Sequence, residues 1–510
     1  MHSVFDKGAP PACPNAFNMA AHVLRHAQDK SDKVALSVLS ENDPEDWTYG
    51  ALESAVLGAG TGLLDAGLQP GQRVLMRLGN SVHFPIAFLA CIAVGLIPVP
   101  TSSQLTTSEV DGMVTSLKPA AILQDPSVQT TSITLTKTLT INNLISFYGL
   151  SSATYELGNP NRPAYIVYTS GTSGRPRAVV HAHRAISARQ MMFEDWYALK
   201  PSDRLLHAGA FNWTFTLGTG LMDPWTIGAT ALIPAPNTSP TALVDLLHRH
   251  QATLFAAAPG VYRKMLDTPD DPALTKLHDS LRHGLCAGEK LSTPMRQRWS
   301  KATGTPLFEA FGMSECSTFI SSNPTSQSPN GALGQPQQGR RVAIVDENGP
   351  VPLGAPGTIA VHKTDPGLML GYLDAPEDTA ERFKGDWFLT GDLGTMDAAG
   401  FITYMGRADD MMNAGGFRVS PLEVESALLS HPQIKGIAVT DVEIKPDTRV
   451  IAAFYTADHD LVAHDLKAFA AQRLARYKQP RLFTRLDTLP TNANGKLNRR
   501  ALRANFKATT

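Results

Sequence analysis

Cysteine is scarce in this chain. Its four cysteines, at positions 13, 91, 286 and 316 of 510 residues, are far apart and form neither a CxxC pair nor a dense framework. This spacing argues against a disulfide scaffold and against a structural zinc site. A reducing cytoplasm is therefore the expected compartment.

The chain also lacks long apolar runs and any excess of charge. Its longest apolar run, within residues 85–98, falls well below the roughly 20 residues of a membrane-spanning helix. The first 17 residues contain no stretch that could act as a signal peptide. Basic and acidic residues nearly cancel, 45 against 46, so no overall field attracts nucleic acid or an anionic membrane. We expect small-molecule substrates, no nucleic-acid partner and no membrane partner.

What is present is an alternation of short apolar segments with amphipathic ones, from about residue 16 to 270. RVLMRLG, for example, precedes the helix-like HFPIAFLACIAVG, which we expect to be a buried helix. Strands alternating with helices of this length predict parallel sheets flanked by helices. After Gly331, short β-like pieces separated by turn signals predict a β subdomain.

The predicted fold class is therefore α/β. We expect a large N-terminal domain over residues 1–408 and a small α+β domain over residues 409–510, because about 100 residues with their own helices and strands suffice for a separate domain.

Residues 168–177, YTSGTSGRPR, are the strongest chemical signal and follow the strand-like AYIV. Glycines and hydroxyl side chains at this density let backbone N–H groups and hydroxyls donate to phosphate oxygens. Neither GxxxxGK[ST] nor GxGxxG is present. The segment predicts a phosphate-binding loop of another type; a flexible Gly/Ser turn is the alternative.

This loop resembles the signature loop of the adenylate-forming superfamily, which includes acyl-CoA synthetases, peptide-synthetase adenylation domains and firefly luciferases. Further family-like segments follow in the family's order: AGE at 287–289, FGMSE at 311–315, GY at 371–372, WFLTGD at 387–392, GRADD at 406–410 and NGK at 494–496. The resemblance runs from WTYGALE near residue 47 to Lys496. It implies an enzyme that uses ATP and Mg²⁺ to activate a carboxylate as an acyl adenylate, and that passes the acyl group to coenzyme A.

The resemblance also assigns roles to individual residues. The ATP and AMP contacts that it implies are Thr169, Ser170, Gly171, Thr172, Ser173, Gly174, Arg177, Gly288, Glu289, Ala310, Phe311, Gly312, Asp392 and Arg407. The implied catalytic residues are Lys496, Glu315, Ser314 and Arg407, with Glu315 as the metal ligand. Asp409 matches the interdomain hinge, and Gly415 and Gly416 match the backbone beside the pantetheine arm of coenzyme A.

These assignments suit the chemistry. A carboxylate that attacks the α-phosphate of ATP must overcome anion–anion repulsion, so cations and donors are needed where charge develops. Lys496 is a compact cation for that purpose, and Asp392 offers several acceptor sites to ribose hydroxyls.

Two segments depart from the family pattern. Arg177-Ala178 stands where Lys-Gly is usual, which keeps the charge but changes the donor geometry. Asn492 and Asn494 replace Thr and Ser, which preserves polarity and turn preference.

His181 and His183 suggest a metal site, since a spacing of two places both on one face of a strand. No third ligand cluster is evident in the sequence, so we expect both to pack beside the phosphate loop.

The segment at 210–220, AFNWTFTLGTG, is the candidate acyl site. Relatives that activate amino acids have an aspartate there, which pairs with the substrate ammonium; here the segment contains no acid. Aromatics without a countercharge favour an uncharged apolar acyl group, and the pattern looks most like benzoate-type and short to medium-chain ligases. The predicted pocket residues are Trp213, Thr214, Phe215, Ala287 and Gly312. Simple core packing is the alternative for the aromatics.

The thiol acceptor and the assembly are less constrained. Only about a dozen residues follow Lys496, with no carrier-protein segment, which favours coenzyme A. A stand-alone enzyme that loads a separate carrier protein would share every motif. A non-catalytic nucleotide-binding protein is the other alternative, although Lys496, Glu315 and Asp392 are all retained. A luciferase-like oxidation has no sequence support, and a homodimer stays open.

Overall fold

The computed structural model describes residues 1–40, 43–134, 137–169, 177–236, 238–267, 272–329, 331–408, 410–414, 417–445, 448–491 and 497–506. Its internal contacts divide the chain into two compact units. The larger unit comprises Phe5–Val342 and Val361–Phe388, and the smaller unit comprises Met1–Val4, Ala343–Ala360 and Leu389–Thr510. The predicted single boundary near Asp409 stays a prediction, because Asp409 lies outside the described residues.

Parallel strands form the centre of the main sheet in the larger unit. Their order is Val34–Leu39, Thr230–Pro234, Arg204–Ala208, Leu254–Ala257, His283–Ala287 and Leu307–Met313. Antiparallel strands extend both ends: Glu45–Thr48 at one end, and Ser317–Ser321 and Ala332–Pro336 at the other. The central strands are almost entirely buried, which explains their continuous apolar sequences and confirms the predicted parallel sheet.

The larger unit also contains two smaller sheets. One is fully parallel, in the order Ile97–Pro100, Arg73–Arg77, Ala121–Gln124 and Thr138–Thr140. The other is antiparallel and consists of Pro163–Thr169, Arg177–Ala182 and Gly371–Tyr372. A short strand, Phe383–Lys384, pairs with Trp387 and Phe388.

Helices surround these sheets. The α-helices of the larger unit are Met19–Val23, Tyr49–Asp65, His83–Ala93, Thr107–Leu117, Ile141–Phe147, Ala185–Arg189, Asp223–Thr226, Ala242–Arg249, Pro259–Met265, Pro272–Thr275, Thr293–Thr303 and Pro376–Ala380. Phe193–Tyr197 and Thr216–Met222 are π-helical, and Lys276–Asp279 is a 3₁₀ turn. The apolar helix His83–Ala93 is buried from Phe84 onward, as predicted. Among the described residues, no helix is long and apolar enough to cross a membrane.

The smaller unit combines a hairpin with a compact α+β part. The hairpin pairs the strand Trp387–Met396, whose first two residues belong to the larger unit, with the strand Ile402–Arg407. In the α+β part, Gly436–Lys445 pairs antiparallel with Thr448–Thr456, which pairs parallel with Leu482–Arg485. Its other elements are the helices Pro421–Leu429, Ala463–Ala471 and Arg499–Asn505, the turn Arg476–Lys478, and the strands Met412–Ala414 and Phe417–Val419. The remaining strands are Val4–Asp6, Arg341–Asp346, Gly349–Pro350 and Gly357–His362, of which Gly349–Pro350 lies wholly in the smaller unit.

Side chains on the two faces of this small sheet enter different apolar clusters. Val439 and Ile451 pack with Val424 of the helix Pro421–Leu429. Their sequence neighbours Ala438 and Val450 pack in a second cluster with Leu502. The period-2 alternation of a strand thus covers both faces with helices, which gives this part its own core.

Candidate active site

Two strands bring the ends of the predicted phosphate-binding loop together. Pro163–Thr169 and Arg177–Ala182 run antiparallel, with Thr169 directly opposite Arg177. Five predicted phosphate ligands fall between these ends and outside the described residues: Ser170, Gly171, Thr172, Ser173 and Gly174. The hairpin therefore fixes where the loop starts and returns, and the roles of the five residues stay predictions.

Arg177, where the family usually has lysine, contacts two side chains. Its Nη2 lies 3.0 Å from Oδ2 of Asp378, and its Cζ lies 5.0 Å from the centre of the Tyr372 ring. A planar guanidinium suits both contacts, since it pairs with carboxylates and stacks on aromatic faces. Arg177 therefore has side-chain partners in this chain that suit an arginine at this position.

Tyr372 connects Arg177 to the candidate metal ligand Glu315. The Tyr372 hydroxyl donates a hydrogen bond of 2.8 Å to Oε1 of Glu315, and the Met369 N–H donates one of 2.8 Å to the Glu315 carbonyl. Burial and the Glu315 carboxylate raise the pKa of Tyr372 to about 12, so its hydroxyl stays protonated as the donor. Glu315 is only 8% exposed, and this contact fixes one of its two carboxylate oxygens.

Ser314, beside Glu315, is held by one of the two histidines. Nε2 of His181 lies 2.7 Å from the Ser314 carbonyl, and because a carbonyl only accepts, Nε2 carries the proton. His183 points to a different neighbour, since its Nδ1 accepts a 3.0 Å hydrogen bond from the Met19 N–H. Within the described ranges, no group of three or more His, Cys, Asp or Glu residues could hold a metal ion.

The segments predicted to border the adenine leave the main sheet at one edge. Ala287 and Ala310 are paired across neighbouring parallel strands, and Gly288 and Glu289 follow Ala287 directly. Gly288 has φ +95°, a conformation that glycine adopts without strain. These residues lie at the carboxyl ends of the strands, where ligands of α/β sheets bind, and their contact with adenine stays a prediction.

Gly312 and Phe311 follow Ala310 on the same strand. A Cβ atom at Gly312 would lie 2.2 Å from the carbonyl oxygen of Ser317, so only glycine fits at this position. The Phe311 ring packs edge-on against Phe319, with ring centres 5.5 Å apart. The close backbone approach explains the glycine in FGMSE without reference to a ligand.

The predicted acyl residues are brought together in part. Phe215 and Ala287 belong to one apolar cluster, and Trp213 packs edge-on against Phe215 with ring centres 5.3 Å apart. Phe215 also stacks on Trp196 at 5.8 Å and is 8% exposed. Phe215 is therefore at least partly a core residue, whereas Trp213 is half-buried at the margin of the cluster.

Thr214 instead lines a small cavity, which we call the Arg189 cavity. The cavity measures about 10 Å³, room for about one water molecule. Its walls are formed by Tyr165, His181, Arg189, Thr214, Leu217, Met222, Ser314 and Ser317. It thus joins a predicted acyl residue to the Ser314 segment.

The predicted ribose residues lie in the smaller unit. Asp392 and Arg407 face each other on the paired strands Trp387–Met396 and Ile402–Arg407. Nη1 of Arg407 lies 3.6 Å from Oδ2 of Asp392. The Tyr404 hydroxyl donates to Oδ1 of Asp392 over 2.9 Å. Asp392 is 5% exposed. A carboxylate held in this way suits a hydroxyl ligand, while its nucleotide role stays a prediction.

Four further predicted residues lie outside the described residues: Lys496, Asp409, Gly415 and Gly416. The structure places none of them, so their assigned roles rest on the sequence resemblance.

Sequence reasoning missed a buried ion pair beside the acyl candidates. Arg189 Nε and Nη2 donate to the two oxygens of Asp223 over 2.7 and 2.6 Å, and the side chains are 6% and 0% exposed. The Tyr197 hydroxyl donates to the same carboxylate over 2.8 Å. Asp223 lies three residues beyond the segment 210–220, and its partner is 34 residues away in sequence. No local pattern signals such a pair.

Comparison with known proteins places the chain. The model of the AMP-binding enzyme family matches residues 23–373, and the model of the AMP-binding enzyme C-terminal domain matches residues 423–496. The chain belongs to the AMP-binding enzyme family. The predicted superfamily is thereby confirmed.

Relatives in this family are similar to the chain over most of its length. The benzoate–CoA ligase of Thauera aromatica is 31% identical and covers 91% of this chain and 92% of its own length. Acyl-coenzyme A synthetase ACSM3, mitochondrial, of Rattus norvegicus is 28% identical, with coverages of 87% and 81%. The crystal structure of a benzoate CoA ligase from Burkholderia xenovorans LB400 superposes with a TM-score of 0.84 at 26% identity, with coverages of 96% and 100%. This agreement confirms the α/β fold class.

Proposed function

We propose that this enzyme is an ATP-dependent carboxylate–CoA ligase. The observation that carries the proposal is the hairpin of Thr169 and Arg177, with the Glu315 carboxylate held beside it by Tyr372. A phosphate-binding loop next to a fixed carboxylate serves phosphoryl chemistry on a nucleotide. The named relatives are ligases that join acids to coenzyme A, which supports the same reaction here.

The reaction has two steps. In the first, a carboxylate oxygen of the substrate attacks the α-phosphorus of ATP, the bond to pyrophosphate breaks, and an acyl adenylate forms. In the second, the thiol of coenzyme A attacks the acyl carbon and AMP leaves. We assign Lys496, Ser314 and Arg407 to charge stabilisation in the first step, and Asp392 to the ribose hydroxyls.

The residues present fit a magnesium ion at Glu315. Tyr372 occupies Oε1 of this carboxylate, and no hydrogen bond to Oε2 is found among the described residues. In that part of the chain, Glu315 belongs to no group of three or more His, Cys, Asp or Glu residues that could hold a metal ion. Mg²⁺ is commonly held by one or two carboxylates together with substrate phosphates and water. Bound there, the ion would neutralise phosphate charge.

We propose Asp409 as the hinge through which one small domain serves both half-reactions, and Gly415 and Gly416 as backbone beside the pantetheine arm.

A cytoplasmic location remains our expectation. Coenzyme A is the proposed acceptor, with a separate carrier protein as the alternative. The preferred acid is proposed to be aromatic, or short to medium in length and apolar.

The decisive experiment is a panel of carboxylic acids assayed for pyrophosphate release with ATP and Mg²⁺, with and without coenzyme A. Release that depends on the acid, together with a thioester product, is the expected result. Adenylate formation without a thioester would point to a carrier protein as the acceptor. No release with any acid would refute the ligase assignment.

Tyr372→Phe should weaken the response to magnesium while leaving the fold intact. The change removes only the hydroxyl that fixes Oε1 of Glu315, and loss of a residue that orients a metal ligand costs about 10- to 100-fold in metal affinity. Pyrophosphate release measured against Mg²⁺ concentration should therefore show a higher half-saturating concentration.

Tyr155→Phe is the matched control, because the Tyr155 hydroxyl donates to Oε1 of Glu53 over the same 2.8 Å. An Mg²⁺ response in Tyr372→Phe that equals that of the control would contradict the positioning role.

Trp213→Ala should shift the acid preference gradually. Trp213 is half-buried beside Phe215. Removing its ring should lower kcat/KM for small aromatic acids and make room for bulkier acids. A pocket change of this kind is worth about 1 to 3 kcal/mol per methylene, which predicts a graded change in ranking. The measurement is kcat/KM for benzoate, cyclohexanecarboxylate, butyrate, octanoate, palmitate and phenylalanine.

Trp47→Ala is the control, since Trp47 is also half-buried and packs edge-on against Tyr148. A wild-type preference for palmitate or phenylalanine, or an unchanged ranking in Trp213→Ala, would show that Trp213 does not wall the acyl site.

A further inference from the structure

The Arg189 cavity, beside the predicted acyl residues, has a polar side that an apolar acid would not use. Arg189 and Asp223 are buried together, and Ser317 accepts a 2.5 Å hydrogen bond from Nη1 of Arg189. Arg189 and Ser317 both line the cavity. The apolar side is provided by Leu217 and Met222 of the π-helical turn.

Arg189 keeps one N–H available for a ligand. A guanidinium has five N–H donors. Nε and one hydrogen of Nη2 bind Asp223, the other hydrogen of Nη2 binds Thr219 at 3.2 Å, and one hydrogen of Nη1 binds Ser317. The second hydrogen of Nη1 has no acceptor of its own in the described part of the chain.

His181 also lines the cavity, and one of its ring nitrogens is an unused acceptor. Its Nε2 proton is used by the Ser314 carbonyl, so Nδ1 carries a lone pair. Nδ1 is buried and finds no hydrogen-bond partner among the described residues, and the ring, 2% exposed, lines the cavity. Burial lowers the pKa of His181 to about 4, so the ring is neutral and Nδ1 remains an acceptor near neutral pH.

Stability alone does not account for this arrangement. Replacing a buried ion pair by apolar side chains of similar volume is often neutral or stabilising, so Arg189 and Asp223 are not needed to fill the core. An unpaired buried imidazole nitrogen is also unfavourable unless something binds it. Both unfavourable features occur at a cavity that is also lined by a predicted acyl residue, Thr214, and a predicted catalytic residue, Ser314.

The chemistry of the two groups selects the ligand. A hydroxyl can accept from Arg189 and donate to His181 at the same time, and it has the size of the water molecule that the cavity admits. A methyl group could do neither. A substrate ammonium group near Asp223 would find that this carboxylate is already paired with Arg189. Asp223 is therefore not available as a counterion for an ammonium group.

We propose that the acyl substrate is an aromatic carboxylic acid that carries a ring hydroxyl, and that Arg189 and His181 are the residues that recognise this hydroxyl. The ring would lie against the aromatic cluster of Trp213 and Phe215, next to the cavity. This inference rests on the proposed ligase function and narrows its substrate class.

The test compares matched acids on the wild-type enzyme. Pyrophosphate release is measured with benzoate, 3- and 4-hydroxybenzoate, and 3- and 4-methylbenzoate, in the presence of ATP, Mg²⁺ and coenzyme A. A hydrogen bond to a charged group is worth roughly 10- to 100-fold, so at least one hydroxy acid should exceed its methyl counterpart in kcat/KM by about that factor. If neither hydroxy acid has a higher kcat/KM than its methyl counterpart, the inference is overturned and the ligase function still stands. No release with any acid would overturn both.

Variants then locate the recognition. His181→Phe, and the paired change Arg189→Met with Asp223→Leu, should each reduce the ratio of kcat/KM for hydroxy over methyl acid towards one. The ratio is the readout, because a general loss of activity affects both acids equally.

The paired change Arg282→Met with Asp203→Leu is the control, since this ion pair of 2.7 Å also has a buried carboxylate but does not line the cavity. Its ratio should match that of the wild type. If both cavity variants keep the wild-type ratio of kcat/KM for hydroxy over methyl acid, the assignment of Arg189 and His181 is overturned. If a variant unfolds in a thermal scan, the comparison of acids on the wild-type enzyme decides alone.

Discussion

Replacing Lys496 with alanine is expected to lower the rate of acyl-adenylate formation by about 100- to 1,000-fold. The resemblance of NANGK to the family's C-terminal loop assigns this lysine the contact that bridges the substrate carboxylate and the α-phosphate. Two anionic groups approach each other in that step, so removing the only cation assigned to both should raise its barrier most. The rate is measured as pyrophosphate release in the presence of the preferred acid.

The second half-reaction separates this role from a general defect. When the acyl adenylate and coenzyme A are supplied directly, thioester formation by Lys496→Ala should stay within a few-fold of the wild-type rate, because no phosphate is attacked in that step. Lys467→Ala, which removes an exposed lysine of the smaller unit, is the charge-matched control. An equal loss in both half-reactions would show that Lys496 acts in another way.

Much of the fold could be predicted because it depends on local patterns. The apolar run within residues 85–98 predicted a buried helix, and His83–Ala93 is one. RVLMRLG predicted a strand, and Arg73–Arg77 lies in a fully parallel sheet. In each case the burial of neighbouring residues follows directly from the order of apolar side chains along the chain.

The candidate site could be predicted only as a set of segments. The resemblance named Glu315 and GY at 371–372 but not the hydrogen bond between them, because Glu315 and Tyr372 are 57 residues apart in sequence. The contact of Arg177 with Asp378 is longer in range still. Glu315 lies in a turn and Asp378 in the helix Pro376–Ala380. Such pairs depend on how distant segments pack together, which local patterns in a single sequence do not indicate.

The Arg189 cavity shows the same limit more sharply. Reading residues 210–220 alone predicted an apolar acid, since no carboxylate lies within them. Asp223 lies just beyond, and the turn Thr216–Met222 carries it to Arg189 in the interior. π-Helical turns are rare and often occur at functional sites. Neither the turn nor the ion pair follows from composition or periodicity.

Glu315→Gln is expected to lower adenylate formation by about 100-fold or more at a fixed Mg²⁺ concentration, and to raise the Mg²⁺ concentration required. Glutamine keeps the size of the side chain, and its amide oxygen can still accept from the Tyr372 hydroxyl. The change therefore removes the charge with little disturbance of the packing. A neutral amide is a much weaker ligand than a carboxylate for a hard cation, and positioned charge in such sites is worth several kcal/mol.

The measurement is the initial rate of pyrophosphate release over a range of Mg²⁺ concentrations, together with a thermal unfolding scan. Glu347→Gln removes an exposed glutamate of the smaller unit and should leave both rate and Mg²⁺ response unchanged. The charge of Glu315, rather than its shape, is the feature under test, so Glu315→Asp should retain more activity than Glu315→Gln although it is the shorter side chain. If the glutamine variant worked as well as the wild type at every Mg²⁺ concentration, Glu315 would be a structural residue, held by Tyr372 for packing alone, and the metal ligand would have to be sought elsewhere in the chain.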